Sequence, residues 1–261
     1  MRMMSKAIFL ALLAGGALSA MSLSGGSTAA SSPDERRAEA ERQLDKFFAA
    51  MGGRDQFAQA HGEYIAIEIN DPRVSPLPFY FELCWSYRDP RQATRANASA
   101  FTRRTGFDGK AGGWTLKQEQ GKGVEFVPWS ESRVQTALAD WRGNFEGLTH
   151  RLAKRDPDVR AIMGIGPWEG WLEIREKGDV VFYLRLNEDG APVRFRRVYD
   201  GTAVTFGPLV QQASARFPSR GLFEDSYSSF DFHLFKLITH PMADATFAPP
   251  ADKQNLHLTC Q

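Results

Sequence analysis

The sequence has few cysteines, no long apolar run and almost no excess of charge of either sign. Only two of its 261 residues are cysteine, 32 are lysine or arginine, and 31 are aspartate or glutamate. A chain so balanced lacks the electrostatic footprint of a protein that binds nucleic acid or anionic lipid headgroups. No segment approaches the roughly 20 consecutive apolar residues of a membrane-spanning helix. These absences indicate a globular protein without a nucleic-acid partner.

Motifs for metals and nucleophiles are missing as well. The chain has no HExxH segment, no Cys/His pair at metal-ligand spacing and no Gly-x-Ser-x-Gly elbow, and its five histidines are scattered. The Asp-Gly pairs at 108–109, 189–190 and 200–201 are typical of hairpin turns rather than of carboxylate sites. The sequence therefore predicts a protein without a metal, a cofactor or a catalytic centre.

The first 30 residues have the pattern of a cleavable secretory signal. Arg2 and Lys6 precede an apolar core at 8–14, and small residues follow to Ala30. The core is too short, and interrupted too early by glycine, to favour the alternative of a retained membrane anchor. The segment has no cysteine for lipidation. We therefore expect a soluble periplasmic protein whose mature chain, residues 31–261, forms one domain.

A well-marked helix opens the mature chain. Ser32 suits its N-cap, Pro33 its first position, and Glu35 the capping box. An apolar stripe follows at helical spacing, and Gly52-Gly53 predicts the end of the helix. The stripe consists of Leu44, Phe47, Phe48 and Met51.

Most of the remaining chain alternates between apolar and polar residues, as half-buried strands do. The exception is 130–152, where apolar residues recur every three or four positions and where Gly143 and Gly147 predict a break or bend in a helix. The predicted strands cover 64–69, 79–87, 93–98, 101–107, 114–118, 124–127, 171–175, 180–186, 193–199 and 228–239. The last strand is expected to place Phe230, Phe232, Leu234 and Ile238 on one face.

These elements predict an α+β fold that is mostly antiparallel β. The expected architecture is a highly curved, unclosed β-barrel, a half-barrel, whose concave face is covered by the N-terminal helix and by a central helical lid. A closed up-and-down barrel and a two-sheet sandwich are the competing arrangements.

The order of these features resembles the LolA/LolB-type superfamily of periplasmic lipoprotein carriers. The resemblance covers residues 34–250 and rests on the helix ending in Met51-Gly52-Gly53, the paired long strands, the mid-chain lid, the meander and the final strand. Short motifs at 207–208, 216–218 and 247–250 are similar to those of poorly characterised relatives. The resemblance implies a half-barrel that holds acyl chains in a hydrophobic cavity, with inner- and outer-membrane transport components as partners. Without a lipidation cysteine, the chain is similar to the soluble carrier rather than to the anchored acceptor.

An acyl ligand also fits the composition, because the chain has 19 phenylalanines and only six tyrosines. Phenylalanine has no hydrogen-bonding group, so this excess suits a hydrophobic cavity as well as an ordinary core. The sequence therefore predicts a non-catalytic periplasmic carrier of a lipid or of the acyl chain of a lipoprotein. The predicted cavity wall consists of Ile65, Ile67, Phe79, Phe81, Leu83, Trp85, Phe182, Leu184, Phe230 and Phe232.

The position of Arg197 and the state of the two cysteines each have two possible interpretations. Arg197 lies either near the cavity mouth, as a contact for a lipid headgroup, or on a solvated outer face with Arg194 and Arg196. Cys84 and Cys260 form either a disulfide, which an oxidising compartment would favour, or two unrelated thiols.

Two other functions also remain open. One is an envelope scaffold that engages another protein through the half-barrel. The other is a hydrolase or isomerase that acts on a hydrophobic substrate. The latter requires a buried carboxylate or histidine at the cavity floor, and the candidates are Asp231, His233 and Glu173.

Overall fold

The structure, a computed structural model, describes residues 32–109, 112–224 and 227–260. The predicted signal segment, residues 1–30, lies outside the described residues. The helices are α1 (Pro33–Met51), α2 (Arg54–Gln59), α3 (Glu131–Arg142) and α4 (Phe145–Ala153).

Helix α1 begins and ends where the sequence predicts. The Ser32 hydroxyl accepts a hydrogen bond of 3.2 Å from the backbone N–H of Glu35, and the Glu35 carboxylate accepts one of 2.7 Å from the backbone N–H of Ser32. These two bonds complete the predicted capping box. Gly52 follows with a left-handed φ of 109°, which ends the helix. All four residues of the predicted stripe are buried.

The central helical region is divided at Gly143, as predicted, whereas Gly147 lies inside α4. The side chain of Asn144 accepts a hydrogen bond from the backbone N–H of Gly147 and so caps α4. This bond explains why Gly147 does not interrupt the helix. The helical region predicted over 130–152 is therefore two short helices, with the predicted break at Gly143 and none at Gly147.

Fifteen strands are described, and thirteen of them form one sheet. In chain order they are β1 (Gly62–Asn70), β2 (Phe79–Ser86), β3 (Gln92–Ala98), β4 (Phe101–Phe107), β5 (Gly113–Glu119), β6 (Val124–Pro128), β7 (Val159–Met163), β8 (Leu172–Glu176), β9 (Asp179–Leu186), β10 (Pro192–Arg197), β11 (Ala203–Phe206), β12 (Leu209–Gln211), β13 (Arg216–Pro218), β14 (Arg220–Phe223) and β15 (Ser229–Ile238). The large sheet has the order β6-β5-β4-β3-β2-β1-β15-β14-β11-β10-β9-β8-β7. Its paired neighbours are antiparallel, and in the described chain its two edge strands, β6 and β7, are not paired with each other. The predicted fold, a curved and unclosed antiparallel sheet, is confirmed.

The centre of the sheet joins β1 to β15, strands from near the two ends of the described chain. Their register shifts between Ala66 and Ile67, which leaves His233 as an extra residue on β15. After this bulge, Phe235 and Leu237 point to the concave side, where Phe230 also lies. The predicted face of β15 is therefore wrong for Leu234 and Ile238, because a bulge reverses the alternation of side chains.

Each face of the sheet has its own apolar cluster. The concave cluster joins residues of the strands to residues of α1, α2 and α4. The outer cluster contains Cys84, Ala93 and Ile238 and is covered by Met242 and Phe247 of the C-terminal segment. Cys84 and Cys260 are joined by a disulfide that spans 176 positions of the sequence and holds the end of this segment to β2. None of the described helices is both long enough and apolar enough to cross a lipid bilayer.

Candidate functional site

The structure brings all ten residues of the predicted cavity wall together on the concave face. Ile67 and Phe232 are partly buried, and the other eight are buried members of the concave cluster. The alternation within β1, β2 and β9, together with the pairing of β15 to β1, places these side chains on one side of the sheet. Whether they line a ligand or only pack against protein depends on what covers them.

Helix α4 fills the part of the concave face around Phe182. The ring of Phe145, the first residue of α4, lies 5.9 Å from the ring of Phe182, 5.7 Å from that of Phe195 and 5.9 Å from that of Phe206. Phe47 of α1 lies 6.2 Å from Phe145 on the other side. Protein side chains therefore occupy this region, and a ligand would enter it only if α4 moved.

The two-stranded sheet β12–β13 covers the part of the concave face nearest β15. Phe217 stacks on Phe235 with ring centroids 3.8 Å apart, and it contacts Phe232 edge-on at 5.0 Å. The Ser214 hydroxyl accepts a hydrogen bond of 2.7 Å from the backbone N–H of Leu237. This hairpin was not predicted as a cover, because its strands have only three residues each.

A pocket of about 310 Å³ opens between α1 and the strands β7 to β9. Leu172 and Leu184 in its lining are members of the concave cluster, and Met163 and Leu186 pack against that cluster. The polar lining is contributed by α1 and by the turn that follows β9. The lining residues are Gln43, Lys46, Met163, Gly170, Leu172, Leu184, Leu186, Asn187 and Glu188.

Gly190, in the turn that follows β9, closely approaches the backbone of α1 beside this pocket. Gly190 has a φ of 83°, and a Cβ atom added there would lie 2.5 Å from the carbonyl carbon of Lys46. Only glycine permits both this backbone conformation and this contact. The turn after β9 thus holds Asn187 and Glu188 beside Lys46 at the rim of an apolar pocket.

A carboxylate that the sequence did not single out lies on the same concave face. Glu63 of β1 is buried, and its Oε2 accepts a hydrogen bond of 2.7 Å from the Tyr87 hydroxyl. Its Oε1 has no partner among the described residues. Burial raises the pKa of Glu63, and the nearby Glu146 carboxylate raises it further. Burial also raises the pKa of Glu146, to about 7.

Arg197 is buried and already faces carboxylates of its own chain. Its guanidinium lies 2.5 Å from Asp200 and 3.6 Å from Asp140 of α3, and it is 4.6 Å from the centre of the Tyr199 ring. The Tyr199 hydroxyl donates a hydrogen bond to Asp140. This cluster ties α3 to the end of β10. The role of Arg197 as a headgroup contact stays a prediction.

Comparison with solved structures finds distant likenesses. The structure is similar to a LolA superfamily protein from Nitrosomonas europaea, with 15% identity, a TM-score of 0.40 and coverage of 80% of this chain and 97% of that one. It is also similar to a putative outer-membrane lipoprotein-sorting protein domain from Vibrio parahaemolyticus, with 9% identity, a TM-score of 0.33 and the same coverage. A third likeness is to MucB in complex with the periplasmic part of MucA, with 11% identity, a TM-score of 0.23 and coverage of 81% of this chain and 60% of that one.

No protein-family model matches the chain, and no curated protein matches it.

The three residues considered for catalysis do not meet at a cavity floor. Asp231 and His233 are exposed. Glu173 is buried, but it alternates with Leu172 and Ile174, so it faces the outer side, where it forms an ion pair of 2.6 Å with Arg175. Within the described residues, no group of three His, Cys, Asp or Glu side chains is placed to hold a metal ion.

Glu63 was missed although its position signals its direction. It precedes Ile65 and Ile67 by two and four residues, so it points to the same face of β1 as these apolar side chains. Tyr87 likewise continues the alternation of Leu83 and Trp85. The signal for such a buried group is a polar residue an even number of positions away from the apolar residues of one face of a strand.

Proposed function

We propose that the protein is a non-catalytic periplasmic carrier that holds the acyl chain of a lipid or of a lipidated protein against its concave face. The observation that supports this most directly is the pocket between α1 and β7–β9. Its apolar lining, Leu172, Leu184, Met163 and Leu186, belongs to or packs against the concave cluster. An acyl chain that enters the pocket therefore meets a continuous apolar surface.

The driving force is the burial of methylene groups, which contributes about 0.8 kcal/mol for each group removed from water. The pocket volume of about 310 Å³ lies at the lower end of the range of about 300–1,000 Å³ typical of ligand pockets. As described, it accommodates only part of a long acyl chain. We expect α1, α4 or the β12–β13 hairpin to move when a longer chain binds.

The first test is mass spectrometry of organic extracts from protein purified out of its native periplasm. A lipid present at about one molecule per protein supports the carrier. A ligand-free protein that also fails to bind a fluorescent fatty acid contradicts it.

A matched pair of leucine variants locates the site. Leu186→Gln places an amide in the pocket lining and should weaken binding of the fluorescent fatty acid. Leu222→Gln makes the same change at a leucine of β14 that is 48% exposed and lies outside the pocket, so it should leave binding unchanged. Equal affinities for the two variants would contradict the assignment of the pocket.

The second candidate function is an envelope scaffold that binds another protein. The packing of Phe145 against Phe182, Phe195 and Phe206 favours it, because a filled concave face leaves less room for a ligand. A stable complex with an envelope protein, formed by a chain that retains no lipid, would support this function over the carrier.

A further inference from the structure

Two arginines near α3 carry charges that no described carboxylate balances. Arg103 lies on β4 and Arg133 lies in α3. The side chain of Arg103 makes no hydrogen bond or ion pair with any described residue, and its Nε is buried without a partner. Among the described residues the guanidinium of Arg133 makes a cation–π contact with the Trp129 ring, whose centre is 4.1 Å away, and no ion pair. Partly buried arginines in proteins are normally paired with an acid, so two unbalanced guanidinium groups need an explanation.

The nearby acids do not pair with Arg103 or Arg133. Lys117 is directly opposite Arg103 in the register of β4 and β5, and it forms an ion pair with Glu119. Glu119 also pairs with Lys122. Glu125, opposite Lys117 on the edge strand β6, is exposed. The local charge therefore stays positive around Arg103 and Arg133.

The two guanidinium groups repel each other. Burial lowers the pKa of Arg103. Burial together with the positive charge of Arg103 lowers the pKa of Arg133 to about 10, so both side chains remain charged at neutral pH. The contacts place the two groups near each other, because Arg133 lies over the Trp129 ring, Trp129 bonds Thr115, and Thr115 is opposite Thr105, two residues from Arg103.

The surroundings hold the pair in place and supply hydroxyl groups. Trp129 stacks on Phe107 with ring centroids 5.8 Å apart, and its Nε1 donates a hydrogen bond of 2.9 Å to the Thr115 hydroxyl. Thr105, two residues after Arg103 on the same face of β4, shares a hydrogen bond of 2.7 Å with Thr94. Two cations, hydroxyl groups and a fixed aromatic ring are the features of an anion site.

This site borders the apolar wall. In the register of β2, β3 and β4, Phe81 is opposite Ala96 and Ala96 is opposite Arg103. Arg103 is therefore two strands, or about 10 Å, from a residue of the wall, with only a methyl side chain between them. Arg103 and Arg133 are both partly exposed, so an anion reaches them from solvent.

We propose that Arg103 and Arg133 bind the anionic headgroup, a carboxylate or a phosphate, of the acyl ligand. The acyl chain then extends over Ala96 towards Phe81, which belongs to the same concave cluster as Leu172 and Leu184 of the pocket lining. This inference adds a negative charge to the proposed ligand. The anion site is argued from the two arginines alone, whereas the acyl chain attached to the anion rests on the proposed function.

The test is isothermal titration of the protein with decanoate, decyl phosphate and decanol, which share a chain and differ in the headgroup. We expect the two anions to bind about 10–100-fold more tightly than decanol, as a charged hydrogen-bonded pair allows. The tighter of the two anions identifies the headgroup as carboxylate or phosphate. Inorganic phosphate serves as a fourth ligand without a chain.

Three variants locate the effect. Arg103→Gln and Arg133→Gln should each lose most of the preference for the anions over decanol. Arg142→Gln, an exposed arginine at the other end of α3, should keep it. Arg103→Gln removes an unbalanced charge, so its thermal midpoint in the absence of ligand should equal or exceed that of the wild type. A loss of binding is then not a loss of folding.

Each alternative outcome separates the two proposals. If decanol and decanoate bind equally well and Arg103→Gln changes neither, the anion site is wrong and the carrier stands. If inorganic phosphate binds as tightly as decyl phosphate and only through Arg103 and Arg133, the anion site stands and the acyl carrier is wrong. If none of the four ligands binds, both proposals are wrong.

Discussion

Tyr87 donates a hydrogen bond of 2.7 Å to Glu63, and this pair lies on the concave face beside the apolar side chains of the concave cluster. One oxygen of Glu63 has no described partner, and its pKa is raised by burial and by the nearby Glu146. A carboxylate with a raised pKa in the folded state binds its proton more tightly there than in the unfolded chain. The stability it contributes is complete at low pH, below its unfolded pKa, and is lost as the pH rises through its folded pKa.

Glu63→Gln should therefore stabilise the protein at pH 8 and have little effect at pH 4. The expected gain at pH 8 is about 1–3 kcal/mol, the usual cost of a buried polar group without a partner. Urea unfolding at both pH values measures it. The control is Glu68→Gln, an exposed glutamate of the same strand, which should change stability at neither pH. A gain of the same size at both pH values would contradict a role for ionisation.

Phe145→Ala should remove the ring contact between α4 and Phe182 and leave a cavity there. We expect a loss of about 3–5 kcal/mol of unfolding free energy, because a large buried ring is removed. We also expect tighter binding of a fluorescent fatty acid, since the space beside Phe182 becomes available to the chain. Phe126→Ala, at a partly exposed ring on the edge strand β6, is the control for both measurements. Reduced stability with unchanged affinity would show that the concave face beside α4 is closed core.

Two glycine variants can distinguish the stability effect of the close contact between Gly190 and Lys46 from that of the positive φ. Gly190→Ala and Gly178→Ala both place alanine at a positive φ, 83° and 99°, in neighbouring hairpin turns. Each should lose about 1–2 kcal/mol for that conformation. At Gly178 the added methyl meets nothing within 4 Å, whereas at Gly190 it meets the backbone of Lys46. Gly190→Ala should therefore lose more stability than Gly178→Ala, and it alone should alter fatty-acid binding at the pocket.

Removal of the disulfide should lower stability without affecting the concave face. The Cys84→Ser, Cys260→Ser double variant is expected to lose about 2–5 kcal/mol of unfolding free energy, as native disulfides that close long loops do. Because Cys84 belongs to the outer cluster, affinity for the fluorescent fatty acid should stay within twofold of the wild type. Denaturant unfolding of the wild type with and without reductant provides the same comparison by a second route. A large fall in affinity would mean that the two faces of the sheet are coupled.

The sequence predicts those features of the fold that depend on neighbouring residues. The capping box at Ser32, the end of α1 at Gly52 and the inward faces of β1, β2 and β9 all follow from local spacing. The bulge at His233 does not, because it depends on the pairing of β15 with a strand from the other end of the chain. The cover provided by Phe217 does not either, since its strand is too short to show a period.

The candidate site was predictable in part for the same reason. The alternation of apolar and polar residues identified the apolar wall, because the wall residues occupy every second position within individual strands. The Arg103–Arg133 pair joins a strand to a helix, and an arginine on a strand looks solvated until its neighbours are known. Arg197 is the opposite case, because it is paired within its own chain. Its ion pair with Asp140 could not be predicted from the sequence, since it depends on where α3 packs; Asp200 is another partner.

The pairing of β1 with β15 has a consequence for how the chain folds. The middle of the sheet joins Gly62–Asn70 to Ser229–Ile238, so its central ladder cannot form before nearly all of the described chain is present. Contacts of such long sequence separation slow folding, since a large loop must close first. Until β15 arrives, β1 has an exposed edge able to pair with other chains. A chain delivered from its N-terminus would keep this unpaired edge of β1 until β15 had also been delivered.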